Sequence, residues 1–445
     1  MSAADKATYK GALAAAMDSG AYIKFVEIHT EMKSEMEAHK QCMFIYWHRL
    51  FLVAFENMLR GQGSKYACVT VPYFNWMTAS NRALTGECKT LGECSPILRE
   101  LGGYAGNSQK TVTINGVPVT GNCVATNPLN HFCQGNWGSA KVPASVSYAS
   151  VIGQVFNGTN IDKVSRTVER GCHADIHSIL GGTMTKFQSP ADPIFWSHHA
   201  MLDALITIFH KCRVGTRRMT FAQKAADPVA WASCRRRVGG GKLATGPPFK
   251  PTDVITMRTG QKGKTPIDAS KDPLIGRYFR GVPNRFADML DGSDLGRSSY
   301  TYEISGLLAT MYRDCGGMTK RHNPPAAPAA KKLVIATHFT RPEKRVMNWY
   351  NQSLVSNGGK FQDNIADMER QVCMFQELCL GGIVEYSEEF KALWGVEEPR
   401  CRTIVNAINR GEQQILDSSW KEKMEAHFGC PHPANETIAR ATGRN

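Results

Sequence analysis

Thr-Val-Glu-Arg-Gly-Cys-His-Ala-Asp-Ile-His-Ser-Ile-Leu-Gly-Gly, residues 167–182, is followed shortly by Pro-Ala-Asp-Pro-Ile-Phe-Trp-Ser-His-His-Ala-Met-Leu-Asp, residues 190–203. In the first stretch His173 and His177 are four residues apart, so on a helix they share one face and can bind one metal ion. The glycine pair that closes the stretch is expected to end that helix. These spacings predict two consecutive helices that carry metal ligands.

The second stretch begins with a helix start signal. Asp192 is expected as the N-cap and Pro193 as the first helical residue. The adjacent His198 and His199 point about 100° apart on a helix, so only one of them is expected to face a metal. Asp203 lies one turn beyond His199, where its carboxylate could orient a ligand ring.

Three more histidines, His29, His39 and His48, lie upstream. The nine residues from His39 to His48 correspond to opposite sides of a continuous helix, which places His39 in a loop and His48 on the helix that follows. Leu52, Phe55 and Leu59 continue the face of His48 at helical spacing. His29 is expected on an earlier helix.

Two clusters of three histidines indicate a pair of metal sites. A single buried histidine is more often a satisfied core residue, but that explanation does not account for both clusters. Imidazole suits copper, zinc, iron or nickel, and three ligands per metal leave room for a small exogenous molecule. The pattern therefore favours oxygen chemistry on copper. A zinc hydrolase is a weaker alternative, because the motif lacks the internal glutamate of His-Glu-x-x-His.

The two clusters resemble the signatures of a known family. His39-x8-His48-Arg, with Phe44 and Trp47 between, resembles the copper-A motif of tyrosinases, catechol oxidases and haemocyanins, the type 3 copper proteins. The segments 173–177 and 192–203 resemble their copper-B motif. The resemblance covers about residues 20–210 and extends weakly to Tyr300-Thr-Tyr302. It implies a mainly α fold: an antiparallel four-helix bundle that holds a dinuclear copper site, with long disulfide-braced loops and little β structure.

The resemblance also implies roles for individual residues. Glu169 matches the glutamate that plant members use to hold an active-site water, and it is the candidate base. Phe195 corresponds to aromatic residues that flank the substrate pocket. The second histidine of the doublet is the ligand in this family, and two copper ions are implied, one bound by His29, His39 and His48 and the other by His173, His177 and His199.

The implied function is that of a tyrosinase-like polyphenol oxidase, which uses O2 to oxidise o-diphenols to o-quinones and, in some members, hydroxylates monophenols. Ala174 stands where many hydroxylating members carry Asn. The alternatives are therefore a catechol oxidase without monophenolase activity, or a haemocyanin-like oxygen carrier. Cys42 follows His39, whereas the thioether cysteine of fungal and plant members precedes this histidine. Cys172 is expected to be a buried thiol or one half of a disulfide.

The chain of 445 residues is long enough for two domains. We expect a dicopper catalytic domain over 1–315, a Pro/Ala-rich linker over 316–332 and a small, mostly helical domain over 333–445. Lys320-Arg321 in the linker is a target for a processing protease. The C-terminal domain is expected either to shield the copper site or to act as a stability module. Its clearest helix shows 4-3-4-3-4 apolar spacing through Phe361, Ile365, Met368, Val372, Phe375 and Cys379.

The net charge of +14 is concentrated in one segment, since nine Lys and Arg residues lie between 213 and 250. Glycine and proline runs in this segment predict a flexible basic loop over about 213–265. No aromatic interleaving accompanies the charge, so no nucleic-acid partner is expected. The expected partners are phenols, catechols and O2.

The number and spacing of the cysteines indicate the cellular compartment in which the protein is found. The 14 cysteines have no C-x2-C metal spacing, and those in loop regions and in the tail read as disulfides of an oxidising compartment. No apolar run of about 18 residues predicts a membrane span, and the N-terminus lacks the apolar core of a signal peptide. A secreted protein whose signal has been removed is favoured over a cytoplasmic one. The cysteines of the loop region are Cys88, Cys94, Cys123 and Cys133, and those of the tail are Cys373, Cys379, Cys401 and Cys430.

Overall fold

Helices make up most of the chain, which confirms the predicted mainly α class. The structure is a computed structural model that describes residues 1–100, 108–114, 117–123, 140–238, 244–261, 264–317, 335–336, 338–356 and 360–431. The helices are α1 (Ala3–Asp18), α2 (Ala21–Thr30), α3 (Met32–Ala38), α4 (Phe44–Arg60), α5 (Trp76–Leu84), α6 (Leu91–Cys94), α7 (Pro96–Glu100), α8 (Tyr148–Phe156), α9 (Ile161–Val168), α10 (Ala174–Leu180), α11 (Ile194–Arg213), α12 (Phe221–Ala226), α13 (Gly306–Asp314), α14 (Arg341–Ser356), α15 (Phe361–Cys379), α16 (Glu388–Trp394), α17 (Arg400–Asn409) and α18 (Trp420–Phe428).

The strands are short and pair in twos. They are β1 (Ser108–Ile114), β2 (Val117–Cys123), β3 (Arg235–Val238), β4 (Ala244–Pro248), β5 (Arg258–Gln261), β6 (Lys264–Asp268), β7 (Ile304–Ser305) and β8 (Ile335–Ala336). The pairs β1–β2, β3–β4 and β5–β6 are antiparallel, with Thr111 opposite Thr120 in the first. β7 and β8 are parallel, with Ile304 opposite Ile335.

The ends of α10 and α11 follow the local sequence signals. α10 ends before Gly181, whose φ of 68° favours glycine. α11 begins at Ile194 with Pro193 as its N-cap residue, one residue later than predicted. The Asp192 carboxylate, one residue before this cap, accepts the backbone N–H of Ile194 at 3.0 Å.

Helices α4 and α11 pack through aromatic rings. Phe55 of α4 stacks on Trp196 of α11 with ring centroids 3.5 Å apart and an interplanar angle of 2°. Phe51 also contacts Trp196, at 4.8 Å. Rings of this size bury large apolar areas, and this contact sets the relative position of the two longest site-bearing helices.

The C-terminal helices and the helices that carry the six histidines share one hydrophobic core. Buried residues of α14 and α15, among them Trp349, Met368 and Phe375, belong to the same continuous hydrophobic cluster as Phe25 of α2 and Trp196. α15 packs against α8. It runs over the predicted apolar positions and ends before Gly381, whose φ is 82°. The region predicted as a mostly helical C-terminal domain is therefore helical where it is described, but it does not have a core separate from that of the catalytic helices.

The basic segment differs from its prediction. Within the described part of 213–265 the chain forms α12 and strands β3 to β5 and enters β6. Arg236 and Arg237 bind buried glutamates of α3 at 2.6 and 3.1 Å. The prediction of a flexible basic loop is wrong for these residues, because their charges are neutralised by partners distant in the sequence.

Five disulfides are formed among the described residues: Cys42–Cys234, Cys88–Cys94, Cys212–Cys315, Cys373–Cys401 and Cys379–Cys430. Cys42 is thus not available for a thioether with His39. Cys172 is a buried free thiol, and Cys68 is an exposed one. Cys133 and most of the predicted linker, residues 318–332, lie outside the described residues.

In the described part of the chain, none of the helices combines the length and the apolar character that crossing a bilayer requires.

Candidate metal centre

The six predicted ligands come from six different pieces of the structure. His29 lies near the end of α2, His39 is the cap residue after α3, and His48 lies in the second turn of α4. His173 ends a π-helical turn over Glu169–His173 that leads into α10, where His177 follows one turn later. His199 lies in the second turn of α11. The predicted placements of His29, His39 and His48 are confirmed.

Each cluster closes into a group of ring nitrogens. The ligand atoms of His29, His39 and His48 lie within 4.8 Å of one another, with the Nε2 atoms of His29 and His48 3.5 Å apart. In the second cluster the Nε2 atoms of His177 and His199 are also 3.5 Å apart. Two nitrogens that each lie about 2.0–2.1 Å from one metal are separated by about 3–3.5 Å. The first group therefore fits a metal ion, and in the second the pair His177 and His199 has the same ligand spacing.

Hydrogen bonds fix the tautomers of four of these rings. The Nδ1 atoms of His29, His48, His173 and His177 each lie 2.6–2.9 Å from a backbone carbonyl oxygen. A carbonyl only accepts, so each Nδ1 carries the proton and each Nε2 presents a lone pair. Metal-bound histidines are oriented in this way in proteins. The carbonyls belong to Phe187, Phe44, Glu169 and Met184.

The rings are buried and neutral. Each of the six histidines is at most 3% exposed. Burial lowers the pKa of His29 to about 3 and that of His177 to about 4, and it lowers the pKa of the other four well below the usual histidine value. Neutral imidazole is the form that binds a metal. Within the described residues, neither ring nitrogen of His39 nor Nε2 of His173 has a hydrogen-bond partner, so each of these two rings has a nitrogen lone pair free for a metal ion.

The two clusters face each other. The His48 and His199 rings, one from each cluster, stack with centroids 4.3 Å apart and an interplanar angle of 14°. Phe44 contacts the rings of His48 and His173 at 4.6 and 4.8 Å. Phe195 is fully buried and contacts His29 at 5.1 Å and His199 at 4.1 Å. The predicted Phe195 thus lies between the clusters, and Phe44, which sequence reasoning noted only as part of the motif, is its counterpart.

His198 also approaches the second cluster. Its ligand atom lies within 4.8 Å of those of His173 and His177. However, the indole Nε1 of Trp76 donates to Nδ1 of His198 at 3.2 Å. Indole is only a donor, so Nδ1 is the acceptor and the proton of the neutral His198 ring resides on Nε2. That tautomer does not present a free Nε2 lone pair to a metal.

Glu169 holds the loop of the first cluster. Its Oε1 accepts the backbone N–H of Lys40 at 2.6 Å, and Lys40 follows His39 with a φ of 58°. Burial raises the pKa of Glu169 to about 7, partly opposed by the Lys40 hydrogen bond. The carboxylate therefore links the π-helical turn of the second cluster to the loop that carries His39.

Asp203 has different partners from those predicted. Its Oδ1 accepts from Nε of the buried Arg49 at 2.6 Å, and its Oδ2 accepts from the hydroxyls of Tyr300 and Tyr302 at 2.5 and 2.6 Å. Among the described contacts both oxygens are thus engaged away from the histidines. The prediction that Asp203 orients a ligand ring is corrected: it ties α4, α11 and the Tyr300 segment together behind the site.

A tryptophan of the C-terminal region lies against the centre. Trp394, the last residue of α16, contacts the rings of His39, His173 and His177 at 5.1, 5.9 and 5.3 Å. Its indole donates to the carbonyl oxygen of Thr185 at 2.8 Å, and it is 5% exposed. Sequence reasoning missed this residue, because nothing local to residue 394 indicates a contact with residues 39 and 173.

Comparison with known proteins places the two clusters inside one family domain. Residues 19–211 match the family model described as the common central domain of tyrosinase. The chain is 29% identical to a tyrosinase of Streptomyces glaucescens over 218 residues, which is 46% of this chain and 78% of that protein. It is 26% identical to tyrosinase ustQ of Aspergillus flavus over 189 residues, 38% of this chain and 48% of that protein. A solved polyphenol oxidase from Thermothelomyces thermophila covers 60% of this chain and 82% of its own, with 20% identity and a TM-score of 0.36. All six predicted ligands lie within residues 19–211.

Proposed function

We propose that this chain, whose residues 19–211 belong to the tyrosinase family of type 3 copper proteins, is a polyphenol oxidase that uses O2 to oxidise o-diphenols to o-quinones. The family match supports a tyrosinase-like copper oxidoreductase. The single observation that carries the proposal is the pair of buried, neutral histidine clusters joined by the stacked His48 and His199 rings.

We assign the ligands as predicted: His29, His39 and His48 for the first copper, and His173, His177 and His199 for the second. The choice of His199 over His198 is supported by the Trp76 hydrogen bond, which leaves the proton of His198 on Nε2. Copper bound at such a pair supplies the two-electron exchange with O2 that one ion could not. The protein provides neutral ligands, carbonyl acceptors that orient them, and a water-poor surrounding.

Two diphenols, oxidised in turn, each lose two protons and two electrons and leave as o-quinones, and the four electrons and four protons reduce one O2 to two molecules of water. Hydroxylation of monophenols is the less favoured activity. Ala174 provides no side-chain amide beside His173, and it packs instead in an apolar cluster with Tyr386, Phe390 and Trp394. Glu169 as the base remains a prediction from the sequence, since its Oε1 is held by the Lys40 amide.

We further propose that the C-terminal region shields the site through Trp394. Three contacts support this: the indole lies on rings of both clusters, Lys40 Nζ donates to the carbonyl of Leu393 at 2.7 Å, and the Tyr386 hydroxyl donates to Asp175. We expect a phenol that approaches the copper pair to need the space beside these imidazoles that the indole occupies. Cleavage in the linker over 316–332, followed by displacement of α16 from the histidines, would then admit substrate.

The test is O2 uptake by the copper-loaded chain, given an o-diphenol and then the matched monophenol, before and after cleavage of the linker. We expect little uptake before cleavage and strong uptake of O2 with the diphenol afterwards. His48→Ala and His173→Ala should abolish it. If the cleaved, fully copper-loaded protein binds O2 reversibly without oxidising either phenol, the oxygen-carrier alternative replaces the oxidase.

A substitution separates shielding from a stabilising role. Trp394→Ala should raise diphenol oxidation by the uncleaved chain at least about tenfold, whereas Trp420→Ala, a tryptophan of the same region in α18, should not. If uncleaved wild type is already as active as the cleaved protein, Trp394 is not a cover and the C-terminal region is a stability module.

A further inference from the structure

Three glutamates of the helix before His39 are buried, and each faces an arginine of the basic segment. Glu31, Glu35 and Glu37 are 6, 8 and 5% exposed. Their carboxylates lie 3.5, 3.1 and 2.6 Å from the guanidinium nitrogens of Arg258, Arg237 and Arg236 respectively. Buried carboxylates of this kind require a partner. The arginines of the basic segment therefore neutralise the buried carboxylates at and within α3.

One of these arginines also reaches the loop that carries His39. Nη1 of Arg237 donates to Oε1 of Glu35 at 3.1 Å and to the backbone carbonyl of His39 at 3.0 Å. With its amide oriented to satisfy both of its groups, Gln41 accepts from the backbone N–H of Arg237 at 2.7 Å and donates to the Arg235 carbonyl at 3.1 Å. The Cys42–Cys234 disulfide closes the far end of the same loop. Residues 39–42 are thus bound to β3 at three points.

The ring of His39 differs from the other rings of its cluster. His29 and His48 direct Nδ1 at a backbone carbonyl, whereas neither nitrogen of His39 has a hydrogen bond. The nearest acidic group is Oε1 of Glu35, which lies 3.8 Å from Nδ1 of His39. This is the same oxygen that binds Arg237.

We propose that Glu35, held in place by Arg237, is the positioning residue for His39 in the first copper site. A carboxylate beside Nδ1 favours the tautomer with its proton on Nδ1, so that Nε2 presents its lone pair to the metal. Arg237 keeps the carboxylate at this distance and also holds the His39 carbonyl, which restricts the loop and the ring together. The proposal rests on the proposed copper centre. It gives the basic segment a role that its composition alone does not suggest.

Arg236 provides a matched control. It lies one residue earlier in β3, and it binds Glu37 of the same helix and Asp253, each at 2.6 Å. Its described contacts do not include the His39 loop. A purely structural role of the ion pairs predicts equal effects for Arg236 and Arg237. A positioning role predicts that only Arg237 affects the first copper.

The experiment titrates the full-length, copper-free protein with copper and measures copper bound per chain, together with the unfolding temperature of each copper-free variant. Wild type and Arg236→Met should bind two copper ions. Arg237→Met and the nearly isosteric Glu35→Gln should bind one with unchanged affinity and the other about 10–100-fold more weakly. Adding His39→Ala to Glu35→Gln should cause little further loss at that weak site.

Two copper ions bound with wild-type affinity by both Glu35→Gln and Arg237→Met would overturn the proposal, as would an equal loss in Arg236→Met. If Arg237→Met does not fold, the copper titration of Glu35→Gln alone decides the test. Failure of the wild type itself to bind two copper ions would instead refute the proposed copper centre, so the two failures are distinguishable.

Discussion

A single hydrogen bond distinguishes two neighbouring histidines. Trp76 donates to Nδ1 of His198, so the ring of His198 has its proton on the nitrogen that a ligand would need. His199 has no such donor, and its Nε2 lies 3.5 Å from that of His177. Adjacent residues on a helix can therefore differ fully in their capacity to bind metal.

We predict that His199→Ala reduces bound copper from two ions per chain to one, while His198→Ala retains both. The measurement is copper per chain after equilibration with excess metal and removal of the unbound fraction. Loss of copper from His198→Ala but not from His199→Ala would show that the ligand assignment is inverted.

Asp203 is expected to contribute to stability. Arg49 is buried, and Asp203 is its carboxylate partner at 2.6 Å. Removing one partner of a buried ion pair costs about 3–5 kcal/mol, because the other charge stays without compensation. Asp203→Ala should lower the free energy of unfolding in urea by about that amount. Tyr302→Phe, which removes one hydrogen bond to the same carboxylate, should cost about 1.5–3 kcal/mol. Equal stability of Asp203→Ala and wild type would contradict the role given to this pair.

At the scale of elements, the π-helical turn before α10 sets the position of His173. Gly171 inside it has φ −98° and ψ −113°, and a Cβ atom there would lie 2.2 Å from Oε1 of Gln154. That oxygen accepts the backbone N–H of Cys172 at 2.8 Å, while Nε2 of Gln154 donates to Ser145 and Ser150. Gln154 therefore has little freedom to move away.

Gly171→Ala should lower the free energy of unfolding by about 1–3 kcal/mol through overpacking, and it should weaken copper binding at the second site because His173 shifts. The control is Gly11→Ala in α1, where the nearest atom is the Tyr66 hydroxyl at 3.1 Å. It should change stability by less than about 1 kcal/mol. Stability and copper binding are measured on the same samples. Unchanged copper binding in Gly171→Ala would show that the turn does not position His173.

The predictable elements are those with local signals. The spacing of His173 and His177 and the glycines after α10 and α15 act within one or two turns, and the structure agrees with each. The start of α11 lies one residue beyond the predicted one. Arg237 and Trp394 carry no comparable signal, since their partners lie roughly 200 or more residues away. The position of Asp203 on the helix could be predicted from its spacing from His199, but its partner could not. That partner is Arg49, which lies on a different helix.

At the scale of the whole molecule, the proposed copper ions would join segments that are separate in the sequence. The six proposed ligands come from α2, the loop after α3, α4, the π-helical turn, α10 and α11. A ligand that binds only the folded chain stabilises it by about 4 kcal/mol at about 1,000 times its dissociation constant.

Removal of copper by a chelator should therefore lower the unfolding temperature markedly and reversibly. The measurement is thermal unfolding with and without chelator, repeated after copper is added back. His29→Ala should show a smaller effect of the chelator, because one site is already weakened. An unfolding temperature that chelation does not change would contradict the proposed centre.

The position of Trp394 in the chain has a consequence for the order of events during synthesis. The six histidines leave the ribosome first, and the roughly 200 residues from His199 to Trp394 take about 10–40 s to be made at about 5–20 residues per second. All six proposed ligands are thus synthesised before the indole that we propose as their cover. If the indole is the cover that we propose, the newborn protein passes through an interval in which its histidines can meet metal and substrate alike, before the cover exists.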